Sequence, residues 1–159
     1  MNQLNLSKWL KFITIAVGII GFIVFAFLLP LIGKDIINNN KEYSNAYYPW
    51  LIFIWSMGIP CYMVLGFFWS ICNQIQRNNS FCYTNSKSLT WISRLAIFDT
   101  IYCFAGNTIL ILLRMSHPRI FIGFLFVIFT GIAIAIVSAA LSHLVVKASV
   151  LQEENELTI

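Results

Sequence analysis

Apolar residues fill four long stretches of this chain, and short polar segments separate them. The stretches cover residues 10–32, 50–72, 89–113 and 120–146. A hydrocarbon core about 30 Å thick needs about 20 apolar residues in a helix that rises about 1.5 Å per residue, and every stretch is long enough. The pattern predicts an all-α integral membrane protein, a four-helix bundle in a single domain that covers the whole chain.

Composition supports a membrane protein independently of the pattern. Hydrophobic residues make up 59% of the chain and charged residues 10%, whereas soluble domains carry about 45–50% and about 25%. The net charge is +4, but the ten Lys and Arg never form a run of four. We therefore expect them to contact the lipid bilayer and to set the orientation, with no direct binding of nucleic acid.

Basic residues near the span ends favour an orientation with both termini in the cytoplasm, because cytoplasmic segments carry the excess of Lys and Arg. Six lie on the side of the termini (Lys8, Lys11, Arg77, Lys87, Arg94 and Lys147) and four on the other side (Lys34, Lys41, Arg114 and Arg119). The segment 33–49 is then an extracytoplasmic connection. We expect Tyr47, Tyr48 and Trp50 to form an aromatic belt at the lipid headgroups there.

One carboxylate lies in the middle of the third stretch. Asp99 is about ten residues inside it, where an ionised carboxylate costs on the order of 2.5–3.5 kcal/mol, so its side chain must face protein or water. Cys103 and Gly106 lie on the same helix face. Small residues on the fourth stretch mark a surface for close helix packing: Gly131, Ala135, Ser138, Ala139 and Ser142.

We expect Asp99 to be structural and to hydrogen-bond a serine or a backbone carbonyl across that surface. A proton or cation site is the alternative that the sequence leaves open, although no second acidic residue lies in any stretch to build a relay.

Sequence motifs for catalysis are absent from the chain. It contains no His-Glu-x-x-His or Gly-x-Ser-x-Gly, no Gly-rich phosphate loop, and no pair of cysteines with Cys-x-x-Cys spacing. We therefore predict no enzyme activity, no cofactor and no metal site.

The middle connection, residues 74–89, and the third connection, residues 114–119, contain residues typical of the start of a helix. Thr84 or Asn85 is predicted to cap the helix that enters the third span, since a short polar side chain can accept from an unpaired backbone N–H. Proline suits the first turn of a helix, so the fourth span is predicted to start at Pro118. Phe81 is a lone aromatic residue in a polar connection, and either folds back on the helix ends or stays available to a partner.

The acidic tail, residues 147–159, carries a resemblance to a known family. It ends Leu151-Gln152-Glu153-Glu154-Asn155-Glu156-Leu157-Thr158-Ile159, which resembles the ending Leu-x-Glu-Glu-Asn-Asp-Leu-Thr-Ile of the bacterial membrane family known as domain of unknown function 2975. Only Glu156 departs from it. The middle connection is similar to the family's small-Pro-Phe-Thr-x-Glu-Asn pattern. Phe81, Asn85 and Leu89 are in register, whereas Ser80, Cys82 and Thr84 replace the proline, threonine and glutamate.

This resemblance implies a bacterial plasma-membrane protein without an established enzyme activity. It also implies a genetic neighbour, because members are often encoded beside a small helix-turn-helix regulator. We therefore expect a regulatory or signalling protein that docks such a regulator in the cytoplasm. The expected docking residues are Phe81, Asn85, Leu151, Glu153, Glu154, Asn155, Leu157 and Ile159. The alternative is a small transporter or channel subunit that uses Asp99, in which a homo-oligomer multiplies the polar face of the third span.

Overall fold

A computed structural model describes residues 3–77, 79–115 and 118–156, and all regular structure within these ranges is helical. The elements are α1 (Gln3–Ile23), a π-helical segment (Val24–Leu28), α2 (Leu29–Asn39), a 3-10 helix (Lys41–Ala46), α3 (Tyr47–Gln76), α4 (Tyr83–Leu112) and α5 (Pro118–Glu156). The first three elements form one continuous helix. Four helices in the described ranges are therefore long and apolar enough to cross a membrane, which confirms the predicted all-α fold.

The first helix continues past the predicted end of its span, so the predicted connection 33–49 is mostly helical. Pro30 lacks an N–H and cannot bond back to a preceding carbonyl. The π segment ends two residues before this proline, and the carbonyl oxygen of Phe25, five residues before it, accepts a hydrogen bond from Trp55 Nε1–H at 3.2 Å. A side chain of α3 thus replaces the lost backbone hydrogen bond, and the helix continues to Asn39.

The helices pack side by side and leave one side of the molecule open. α3 and α4 pack together in the centre, α1 packs on α3, and α5 packs on α4. Within the described ranges no Cα atom of α1 lies within 8 Å of a Cα atom of α5. These two helices form the two walls of a cleft whose floor is α3 and α4. We call the end where α1 begins and α5 ends the terminal face, and the other end the opposite face.

An aromatic core lies in the half nearer the opposite face. It comprises Trp50, Phe53, Ile54 and Met57 of α3, Cys103 and Leu110 of α4, and Phe124 of α5. A Cβ on Gly106 would overlap the ring of Phe53, so this glycine lets α3 approach α4 closely. Trp50 is only 6% exposed and packs against Gly33. The predicted place of Trp50 in a headgroup belt is therefore wrong, because the helical continuation to Asn39 covers it.

A polar seam joins α4 to α5 in the half nearer the terminal face. Ser93 donates to the carbonyl oxygen of Ala135 at 2.8 Å. The hydroxyl of Ser142 lies 3.0 Å from that of Ser86 and 2.8 Å from that of Thr90. Ala135 and Ser142 belong to the small-residue surface predicted for close packing, and the seam confirms that they face the third span.

Candidate functional site

A chamber of about 470 Å³ lies at mid-depth in the cleft. All four spanning helices contribute to its wall. The lining includes Val17 and Gly21 of α1, Phe25 of the π segment, Pro60, Cys61 and Tyr62 of α3, Asp99, Thr100 and Cys103 of α4, and Phe126, Thr130 and Gly131 of α5. Its volume is that of a small-molecule site, which is about 300–1,000 Å³.

Asp99 faces the chamber and α3 instead of the seam with α5. The thiol of Cys61 donates to its Oδ2 at 3.8 Å, a long and weak hydrogen bond. Its other oxygen, Oδ1, is buried and has no hydrogen-bond partner among the described residues. The neighbouring Thr100 packs against Gly131 of α5. The predicted hydrogen bond from Asp99 across the seam is therefore wrong, because Thr100 occupies that position.

Two helices are irregular at the depth of Asp99. Phe25 belongs to the π segment and lines the chamber, and π segments occur frequently at functional sites. Pro60 lies inside α3 and also lines the chamber. It removes the backbone hydrogen bond that the carbonyl of Ser56 would otherwise accept. The two interruptions and the carboxylate share one cavity, which makes this chamber the strongest candidate site inside the spans.

The chamber offers one acidic group, which is negative when ionised, and no basic one. Its described lining contains no Lys, Arg or His. The hydroxyls of Thr100 and Thr130 donate to carbonyl oxygens of their own helices, at 2.7 and 2.9 Å. Both hydroxyl protons are therefore already donated, and the two hydroxyl oxygens act toward the cavity as hydrogen-bond acceptors. No group of three His, Cys, Asp or Glu that could bind a metal comes together in the described parts of the chain. The chemistry of the lining fits an apolar group that carries a positive charge.

At the terminal face, Asn85 is buried and shapes the middle connection. It is 2% exposed, and its Nδ2 donates to the carbonyl oxygen of Ser80 at 2.8 Å. The predicted cap at Thr84 or Asn85 is wrong, since both lie in the first turn of α4 after an N-cap at Cys82 that makes no side-chain hydrogen bond. Phe81 is 55% exposed, so it is available to a partner while Asn85 acts inside the chain.

The other predicted docking residues lie on or after the end of α5. The helix runs without interruption from Pro118 to Glu156 and includes the backbones of Glu153, Glu154 and Asn155. Val150 and Leu151 are 47% and 58% exposed. Leu157 and Ile159 lie outside the described residues. Val150 was not among the docking residues predicted from the sequence, because its contribution to this surface depends on the tail being helical.

Sequence reading also missed an aromatic belt close to the terminal face. Lys11 Nζ lies 5.5 Å from the ring centroid of Trp69, and Arg94 Cζ lies 5.6 Å from that of Trp91. Trp9 is 64% exposed. These three tryptophans are far apart in the sequence, but antiparallel helices bring them to one end of the molecule. Tryptophan beside a basic side chain is typical of a membrane–water interface.

Comparison with known proteins places the chain among membrane proteins. The model of a family described as "Protein of unknown function (DUF2975)" matches residues 31–159. "Uncharacterized membrane protein YoaS" of Bacillus subtilis (strain 168) is 28% identical over 153 residues, which cover 93% of this chain and 96% of that protein. No solved structure matches the chain. The matched residues include both the middle connection and the acidic tail, and this chain belongs to the DUF2975 family of membrane proteins.

Proposed function

We propose that this chain is a non-catalytic multi-pass protein of the bacterial plasma membrane, and that it docks a soluble regulatory protein on its terminal face. The observation that carries the proposal is the length of α5. Its 39 residues extend about 58 Å at about 1.5 Å per residue, whereas the hydrocarbon core is about 30 Å thick. The part of α5 after Lys147 therefore projects beyond the membrane, on the side that this proposal assigns to the cytoplasm.

The projecting part has the features of a docking helix. Val150 and Leu151 expose apolar side chains where a solvated helix end needs none, and Glu154 adds an acidic group beside them. An isolated helix of about ten residues is marginal in water, but this one continues a helix that the membrane already holds. A preformed helix with apolar anchors suits a partner with an apolar groove and a basic rim.

Two further observations support the cytoplasmic location and the kind of partner. The terminal face has the larger share of basic residues, which favours its placement in the cytoplasm. The resemblance of the tail and the middle connection to the family's patterns implies a small helix-turn-helix regulator, which is therefore the partner to test first.

The test is co-sedimentation of that regulator with membranes that contain each variant. Replacing Val150 and Leu151 together with serine removes the apolar anchors, and truncating a central interface residue can cost about 2 kcal/mol or more. We expect recovery of the regulator to fall to the level of empty membranes, as it should after deletion of residues 153–159. Charge reversal at Glu154 should mainly slow association and change its salt dependence.

The matched control is Leu112→Ser, which changes an apolar side chain 77% exposed near the opposite face and should leave recovery unchanged. If the full-length and tail-deleted forms recover the regulator equally, the docking proposal fails.

A small transporter is the second candidate, and the chamber around Asp99 is the observation that favours it. Transport sites lie near mid-membrane, often beside interrupted helices. If Asp99→Asn folds normally but abolishes a proton-coupled flux in proteoliposomes, transport replaces docking as the leading function.

A further inference from the structure

We propose that the chamber around Asp99 binds a hydrophobic organic cation that enters from the bilayer. This binding requires neither partner docking nor transport, so it is tested separately from the proposed function.

The positive charge of the ligand follows from the environment of Asp99. Among the described residues, Oδ1 is buried without a hydrogen-bond partner, and Oδ2 has only the long contact with the thiol of Cys61. The described lining supplies no basic side chain. A carboxylate in an apolar cavity gains most from a counter-ion that arrives with the ligand, because electrostatic attraction is strong where water is excluded.

The apolar body of the ligand follows from the rest of the lining. Phe25 and Phe126 contribute aromatic rings, and ring faces attract organic cations by about 0.5–2 kcal/mol each. A bare metal ion would need several oxygen, nitrogen or sulfur ligands, and no group of three His, Cys, Asp or Glu is assembled in the described chain. The volume of the chamber, about 470 Å³, is that of a small-molecule site.

The route of entry follows from the arrangement of the helices. The backbones of α1 and α5, the two walls of the cleft, are separated, with no pair of Cα atoms within 8 Å in the described ranges. Phe126 and Val127 line the chamber and are 71% and 48% exposed, so the cavity opens sideways toward lipid. A hydrophobic cation concentrates in a bilayer and can reach Asp99 without passing through the aromatic core or the serine seam.

Equilibrium dialysis of the purified protein in neutral detergent tests the proposal with two probes of the same shape and opposite charge. We expect saturable binding of tetraphenylphosphonium and no saturable binding of tetraphenylborate. Asp99→Asn keeps the shape of the side chain and removes the charge, so it should weaken tetraphenylphosphonium binding at least tenfold. The matched control is Asp35→Asn, which removes an exposed carboxylate of α2 and should leave binding unchanged. Equal binding of both probes, or unchanged binding by Asp99→Asn, would overturn the proposal.

The thiol of Cys61 provides a second readout inside the chamber. It is exposed, whereas Cys72 and Cys103 are buried, so in a Cys82→Ser protein a maleimide should react first at Cys61. Tetraphenylphosphonium should slow this labelling, and the Asp99→Asn protein should lose the protection although its thiol still reacts. Labelling of Cys61 at the same rate with and without the cation would contradict occupancy of the chamber, even if the protein bound the probe elsewhere.

Discussion

Phe53 shows how one glycine controls a helix contact in the aromatic core. Its ring lies against Gly106, and its centroid is 5.4 Å from that of Tyr102 and 5.8 Å from that of Phe124. The ring is held between neighbours on both sides, so it cannot move away from an added methyl group. Interiors packed in this way tolerate added volume poorly.

Gly106→Ala should therefore destabilise the protein by about 1–3 kcal/mol, through overlap with Phe53. Gly66→Ala is the matched control, because a Cβ there would meet nothing within 4 Å; removing glycine from a helix interior should stabilise it by about 0.5–1 kcal/mol. Thermal unfolding of the two variants in detergent measures both effects. Equal melting temperatures for the two variants would contradict the described packing of α3 on α4.

Asp99 and Trp50 show which residue-level features could not be predicted from the sequence. Consecutive residues on a helix point about 100° apart, so Asp99 and Thr100 exchange roles if the helix is rotated by one residue. That rotation can be predicted only from the periodicity of the apolar residues. A span that is apolar on every side has almost no such periodicity. Trp50 was misassigned for a related reason, since its burial depends on α2 extending over it.

At the scale of whole helices, the π segment accepts a hydrogen bond from a neighbouring helix. The carbonyl of Phe25 accepts from Trp55 Nε1–H because Pro30 cannot supply a backbone donor. Trp55→Phe keeps an aromatic ring and removes the donor, which leaves that carbonyl without this partner. Such a loss costs about 1–3 kcal/mol.

We expect Trp55→Phe to lower the melting temperature in detergent and to increase hydrogen exchange around residues 24–30. Trp9→Phe, which alters a tryptophan 64% exposed near the terminal face, should change neither. Unchanged hydrogen exchange in Trp55→Phe would show that the π segment does not require the hydrogen bond from α3.

Sequence reading succeeded for those elements whose signal is local. The four spans follow from the length of apolar runs, the start of α5 follows from Pro118, and the packing of α4 on α5 follows from Gly131, Ala135 and Ser142. The continuation of α1 into α2 and the chamber were not predictable in this way. Both depend on contacts between residues distant in the sequence, such as Trp55 with Phe25 and Cys61 with Asp99.

At the scale of the molecule, polarity divides the helix assembly into three zones. The aromatic core occupies the half nearer the opposite face, the Asp99 chamber lies in the middle, and the serine seam occupies the half nearer the terminal face. α1 is attached to α3 by hydrogen bonds from Ser7 to the carbonyl oxygen of Cys72 at 2.7 Å and from Tyr62 to that of Gly18 at 2.9 Å. None of the residues in the most apolar 18-residue window of the first span is buried. Most of the wall that α1 forms is therefore left uncovered by the rest of the described chain.

The placement of the terminal face in the cytoplasm is the claim on which docking depends. It is tested by single cysteines in a protein whose four native cysteines have been replaced, with a membrane-impermeant maleimide applied to intact cells. Asn39 and Glu154 are both exposed, and Asn39 lies near the opposite face whereas Glu154 lies near the terminal face. The account predicts that Asn39→Cys is labelled in intact cells and that Glu154→Cys is labelled only after the membrane is permeabilised. Labelling of Glu154→Cys but not of Asn39→Cys in intact cells would contradict it, because no cytoplasmic regulator could then reach the end of α5.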